Sequence, residues 1–165
     1  MDNTKNIENR YIDENDGLQI MIFTIDSEYF AINIADVREI MKSMPVTPMQ
    51  NAQKNIEGVF KPRNKVITVI DLGGYFSLPP SPDVEHDIFI ISNFNDTEFA
   101  FHVHTVVGME YVDAASIKVT DSIVYGGEGV ANGIVEVYGK LVTILNLEKV
   151  LDDIDAHSVK HPAGV

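Results

Sequence analysis

The sequence predicts an all-β protein made of two related units in tandem, and three observations carry that. The stretch 58–72, GVFKPRNKVITVIDL, returns without a gap as 133–147, GIVEVYGKLVTILNL, at an offset of 75 residues. The copies share a leading Gly (Gly58, Gly133), a Lys (Lys65, Lys140), a Thr (Thr68, Thr143) and a final Leu (Leu72, Leu147). A looser echo precedes each copy: FAINIADV from Phe30 and FAFHVHTV from Phe99, at an offset of 69. The apolar runs are short and bounded by Gly, Pro, Asn and Asp, which is how strands and their turns read. Two copies are too few for a solenoid, so a pair of β units is the expectation.

Taken in order, residues 1–17 are polar, with one weak apolar spacing at Ile7, Tyr11 and Ile12, and read as a mobile lead-in. Leu18–Ile25 alternates as a strand, Asp26-Ser27 turns, and 28–34 returns as its hairpin partner. A third strand is expected at 36–41, with Arg38 and Lys42 on one face and Val37, Glu39 and Met41 on the other. Glu39 interrupts that otherwise apolar line and marks a strand edge or a contact surface. The segment 44–53 carries two prolines and reads as a loop.

Ile56–Phe60 and 66–70 then form a hairpin across Lys61-Pro-Arg-Asn-Lys65. Pro62 supplies a fixed φ and Asn64 tolerates a left-handed one, which puts Arg63 on an exposed tip. The second copy turns the same corner at Tyr138-Gly139. Every residue of 66–70 is β-branched, so its side chains point apolar groups both ways and the strand is covered on both faces. Asp71 and Asn146 stand where the extended runs stop, placed to cap short helices.

Pro79, Pro80 and Pro82 mark the boundary between the units, because prolines this dense exclude a central strand or helix interior. That gives a first unit over 18–80 and a second over 81–151. The second opens at 87–92, turns at 93–97, returns through 99–107, breaks at Gly108 and continues to Val112. From there 114–119 leads into a Gly-rich loop at 126–129. The C-terminal stretch 152–165 turns to Asp, His, Lys, Pro and Gly and reads as a tail or truncated linker.

Composition narrows the function classes. With 165 residues, 45% hydrophobic, the chain can bury a core. No apolar run approaches a membrane span and the charged N-terminus is no signal peptide, so a soluble, intracellular protein is expected. The absence of cysteine removes disulfides, thiolate catalysis and zinc ribbons. A formal charge of −13 with no basic cluster argues against nucleic acid and anionic membrane as partners.

The candidate chemistry is sparse, and no cofactor is implied. His102 and His104, two apart, have a metal-ligand spacing but no recognisable third ligand; a metal- or small-ligand-binding module is the competing function. Asp71 could be a catalytic carboxylate, though its Asn counterpart at 146 favours a cap. Gly73-Gly74 and the loop 126–129 lack the context of phosphate loops, and no serine sits in a nucleophile elbow. A generic polyproline-binding domain needs aromatic grooves, and the chain has no Trp.

The stretch YFAINIADVREI (29–40) is similar to the Y/F-G-I-x-I-x-x-V-x-E-I motif of CheW-like domains. NIEGV (55–59), VITVIDL (66–72) and NGIV (132–135) extend the resemblance over 18–151. It implies two five-stranded SH3-like barrels packed side by side, with short helices after the barrel strands and at the C-terminus. It also implies a cytoplasmic, non-enzymatic chemotaxis adaptor that links chemoreceptor tips to the regulatory domain of the histidine kinase CheA and contacts other CheW-like domains. Arg63 matches the Arg of the family's N-L-R-G turn, and Val37 and Glu39 match its V-x-E pair, which implies a receptor-facing role for all three. Lys61, Pro62 and Asn64 depart from that turn. Gly58 matches the Gly before the hairpin, near the kinase-facing side. The stretch 38–49 and the trailing residues resemble the CheV form of the domain, in which a receiver follows; no receiver residues are present in this chain.

Overall fold

The computed structural model describes residues 17–119 and 126–154. Among these residues, ten strands form two five-stranded sheets. The first takes β1 (Leu18–Ile25), β2 (Glu28–Asn33), β8 (Thr105–Val112), β9 (Ala131–Val137) and β10 (Lys140–Leu145), in the order β8-β1-β2-β10-β9. The second takes β3 (Glu39–Lys42), β4 (Ile56–Phe60), β5 (Ile67–Asp71), β6 (Ile88–Phe94) and β7 (Thr97–Val103), in the order β3-β6-β7-β5-β4. The all-β pairing expected from the repeat is therefore present, with the five strands on each side that the family resemblance implies.

The repeat is visible in the register. The second strand of each copy runs parallel to the echo strand of the other half: Thr68 faces Phe99 on β5 and β7, and Thr143 faces Phe30 on β10 and β2. Both repeated threonines thus meet a repeated phenylalanine. This pairing overturns the division of the chain at the proline stretch. Each sheet takes its first hairpin from one half and its remaining three strands from the other, so neither 18–80 nor 81–151 builds a sheet alone. The crossings come early in each half. The 3-10 turn Ile34–Asp36 carries the chain from β2 to the other sheet, and at His104, whose amide donates to the Thr24 carbonyl at 3.0 Å, it crosses back.

Each sheet is drawn round towards its own far edge. After β3 the chain reaches β4, where Thr47 and Val59 exchange backbone hydrogen bonds of 2.8 and 2.9 Å. After β8, Lys118 and Ile134 of β9 do the same at 2.9 Å each. The repeated glycines stand at these seams. A Cβ on Gly58 would lie 2.2 Å from the Thr47 carbonyl oxygen, and one on Gly133 would lie 2.7 Å from the Ile117 side chain.

Three apolar clusters follow from period-2 alternation. Ile20, Ile22, Val142 and Ile144 fill the concave side of the first sheet, and Ile67, Val69, Phe89 and Ile91 that of the second. The largest lies between the sheets, where Met21, Phe23 and Phe30 of one meet Ile70, Ile90 and Phe101 of the other. Val69 and Ile70 are both fully buried, on opposite faces of β5, as the β-branched run requires.

The caps form as expected. The Asp71 carboxylate accepts from Gly74 N–H at 3.0 Å and starts α1 (Leu72–Tyr75); the Asn146 side chain accepts from Lys149 N–H at 3.3 Å and starts α2 (Leu147–Asp153). Asp71→Ala is expected to lower stability by about 1 kcal/mol through the lost cap, measured by denaturant unfolding.

Several expected boundaries move. Asp36 belongs to the 3-10 turn and β3 begins at Glu39. The chain breaks at His104, not at Gly108, which lies inside β8 at φ +152 beside a register shift opposite Ile22 and Phe23: it is a bulge, not an end. The C-terminal tail cannot begin at 152, because α2 runs through Asp153 and Ile154 is buried in the central core. The expected lead-in lies outside the described residues except for Gly17.

Candidate functional site

The β4–β5 hairpin tip and the edge strand β3 converge at one end of the second sheet. The tip is a 3-10 turn, Pro62–Asn64, with Pro62 buried and Lys65 N–H bonding back to the Pro62 carbonyl at 3.1 Å. Arg63 has φ 52 and ψ 41 and Asn64 has φ 66, both left-handed. Left-handed backbone was expected at Asn64; at Arg63 it is unexpected and intrinsically unfavourable, since its Cβ crowds the following carbonyl.

That conformation aims the guanidinium at β3. Arg63 Nη2 donates to Glu39 Oε1 at 2.6 Å and Nη1 to Oε2 at 3.3 Å, a two-point fork. The Arg63 side chain is 71% exposed and that of Glu39 34%. The hydrogen bond from Arg63 holds the Glu39 carboxyl below the usual carboxylate range, and the same contact raises Arg63. Both stay charged across the physiological range. Beside them Lys65 Nζ donates to Glu98 Oε1 at 2.9 Å. The sheet order, β3 at one edge and β4 at the other, brings the tip to Glu39 only because the sheet curls, so the sequence could not foresee the pairing.

Of the other sequence-derived candidates, Val37 ends the preceding 3-10 turn, two residues from Glu39, half-buried against the central core. Gly58 is buried at the seam under Thr47, apart from the exposed tip.

His102 and His104 do not make a metal pair. His102 ends in a bracket of two carboxylates, with Nδ1 at 2.7 Å from Glu57 Oε1 and Nε2 at 2.6 Å from Asp87 Oδ2, so both ring nitrogens are occupied. Burial disfavours the charged ring, but the two carboxylates outweigh it and raise the pKa above 6.5. His104 lies beyond the end of β7, and its Nδ1 accepts from the Asp26 amide at 2.8 Å. Among the described residues, no group of three His, Asp or Glu side chains could hold a metal ion. The Gly-rich loop also has a structural role: Gly127 N–H donates to the Tyr75 hydroxyl at 2.9 Å, which donates to Asp153 at 2.6 Å and ties α1 to α2. Burial, then the Asp153 bond, push Tyr75 up to about 12.

Two packed five-stranded sheets that present an ion-paired hairpin tip beside an edge strand define a paired-sheet, all-β protein. A family model described as the CheW-like domain matches residues 19–155, and the chain belongs to that family. It is 23% identical over 137 residues to the chemotaxis protein CheW of Thermotoga maritima, covering 82% of this chain and 89% of that one. It is 30% identical over 135 residues to the chemotaxis protein CheV3 of Helicobacter pylori, covering 76% of this chain and 42% of the relative. The crystal structure of the scaffolding protein TtCheW from Thermoanaerobacter tengcongensis superposes with a TM-score of 0.73 at 25% identity, covering 79% of this chain and 84% of that one. No helix among the described residues is long and apolar enough to cross a membrane.

Proposed function

We propose that this protein is a cytoplasmic chemotaxis adaptor that holds the regulatory domain of CheA beside chemoreceptor signalling tips and performs no bond-making itself. A scaffold of this kind acts through effective concentration: two partners bound to one body meet as an intramolecular pair. The carrying observation is the Arg63–Glu39 fork, in which the two residues at the family's receptor-facing positions, 24 apart in sequence, lock into one rigid charged feature. Val37 supplies the adjoining apolar contact. Gly58 acts on the kinase side indirectly, by allowing the seam that shapes the second sheet.

Arg63→Glu places a carboxylate against Glu39 and removes the fork. Receptor-fragment binding is expected to fall by an order of magnitude or more, with the melting temperature nearly unchanged because the pair is exposed. Pull-down and calorimetric titration with a receptor signalling-tip fragment test this; equal affinity for the two proteins removes the site.

A further inference from the structure

Charge is segregated along this chain. Between Arg38 and Lys65 lie six of its 12 cationic side chains and only two of its 25 acidic ones, although the whole carries −13. That span is β3, the loop that closes the second sheet, β4 and the hairpin tip. Arg63 and Lys65 are ion-paired, to Glu39 and Glu98. Arg38 and Lys42 are exposed, and among the described ion pairs neither takes part.

Ile40 and Lys42 share the outer face of the edge strand β3, and Arg38, whose amide donates to the Ile91 carbonyl at 2.8 Å just before the strand begins, continues the same alternation. Ile40, 44% exposed, faces Ile90 of β6, which is buried in the central core. It therefore carries the rim of that core into solvent, between two cations. The other sheet shows that the fold does not require this chemistry: the echo offset places Val107, Met109 and Tyr111 of β8 at the equivalent positions. The same structural place is filled there with no charge at all.

We infer that the outer face of β3 together with the residue that leads into it, Arg38–Ile40–Lys42, docks an acidic protein surface in which two carboxylates flank an apolar side chain. Strand geometry sets the carboxylates about 13 Å apart, the span of four residues. A protein partner fits better than a polyanion, because the centre of the face is apolar and the acidic remainder of the chain repels phosphate. The inference rests on the coupling function proposed above and extends its binding surface from the hairpin tip along β3.

The experiment compares association rates of the full chain with a receptor signalling-tip fragment and, separately, with the CheA regulatory domain, at about 50 and about 300 mM salt. Arg38→Glu/Lys42→Glu is set against Lys140→Glu/Lys149→Glu, which changes net charge equally on β10 and α2, away from β3. The β3 reversal is expected to slow association with one partner roughly tenfold or more at low salt, with the gap narrowing at high salt, while the control changes it less than about twofold. Ile40→Ser is expected to raise the dissociation rate for that same partner. Equal slowing by both double variants overturns the proposal, as does tighter binding of the unmodified chain to phosphatidylserine vesicles than to either protein. If the unmodified chain binds a partner and the reversal changes nothing, only the β3 surface falls; if it binds neither, the coupling function falls with it.

Discussion

Gly58→Ala is expected to destabilise the protein by about 3–5 kcal/mol, a melting-temperature loss of roughly 10–15 °C. Two costs combine. The backbone sits at φ +149, where a side chain is strained, and the new Cβ would fall 2.2 Å from the Thr47 carbonyl oxygen and 2.8 Å from its carbon. Those are main-chain atoms held by the reciprocal Thr47–Val59 hydrogen bonds, so relief requires opening the seam. The repeat supplies an internal comparison: at Gly133 the nearest atom is the Ile117 Cγ2 methyl at 2.7 Å, the nearest main-chain atom is the Lys118 carbonyl oxygen only at 3.2 Å, and no positive φ is involved. Gly133→Ala is therefore expected to cost markedly less. Thermal unfolding of the two variants side by side checks this. The result also bears on the kinase side, since a Gly58 variant that keeps its melting temperature yet loses CheA binding would place Gly58 in direct contact with the kinase.

Asp87→Ala is expected to cost about 2–4 kcal/mol. Asp87 is 2% exposed, and its carboxylate closes one side of the His102 bracket. Removing it leaves His102, which also packs edge-on against Phe89, with Glu57 as its only ring partner. The same bracket gives stability a pH dependence of definite sign. Because the folded-state pKa of His102 is raised, its contribution is fully present below the ordinary imidazole value of 6.5 and is lost as pH rises through the higher folded value. The melting temperature is thus expected to fall as pH rises above about 6.5, with His102→Gln flattening that part of the profile. A wild-type profile that rises across this interval would show that the ring is neutral in the fold.

Much of this was legible in the chain. The strands of the repeat, the hairpin corner at Arg63, the two Asx caps and the doubly covered β5 all follow from residues within a few positions of one another. Where reading failed, the cause was non-local. Gly108 looks like a breaker because a bulge and a strand end both call for glycine, and only the partner strand β1 distinguishes them. The paired histidines look like ligands because spacing is visible in a sequence and the carboxylates of Glu57 and Asp87, 45 and 15 residues away, are not. Arg63 could be placed on a tip, but its fork to Glu39 depends on the curl that brings opposite edges of the sheet together.

The amino-acid sequence by itself determined that there are two β units, which runs alternate as strands, and that the units share a leading glycine, a Thr and a Phe-led echo. Only the tertiary structure decided which hairpin joins which sheet. Because the halves echo each other, β1–β2 and β6–β7 offer nearly the same edge to β5 and to β10, and the apolar pattern is satisfied by either partner. The choice was settled by the short crossings at Ile34–Asp36 and His104, which carry each half into the other's sheet and bury Phe23, Phe30 and Phe101 in one core between them.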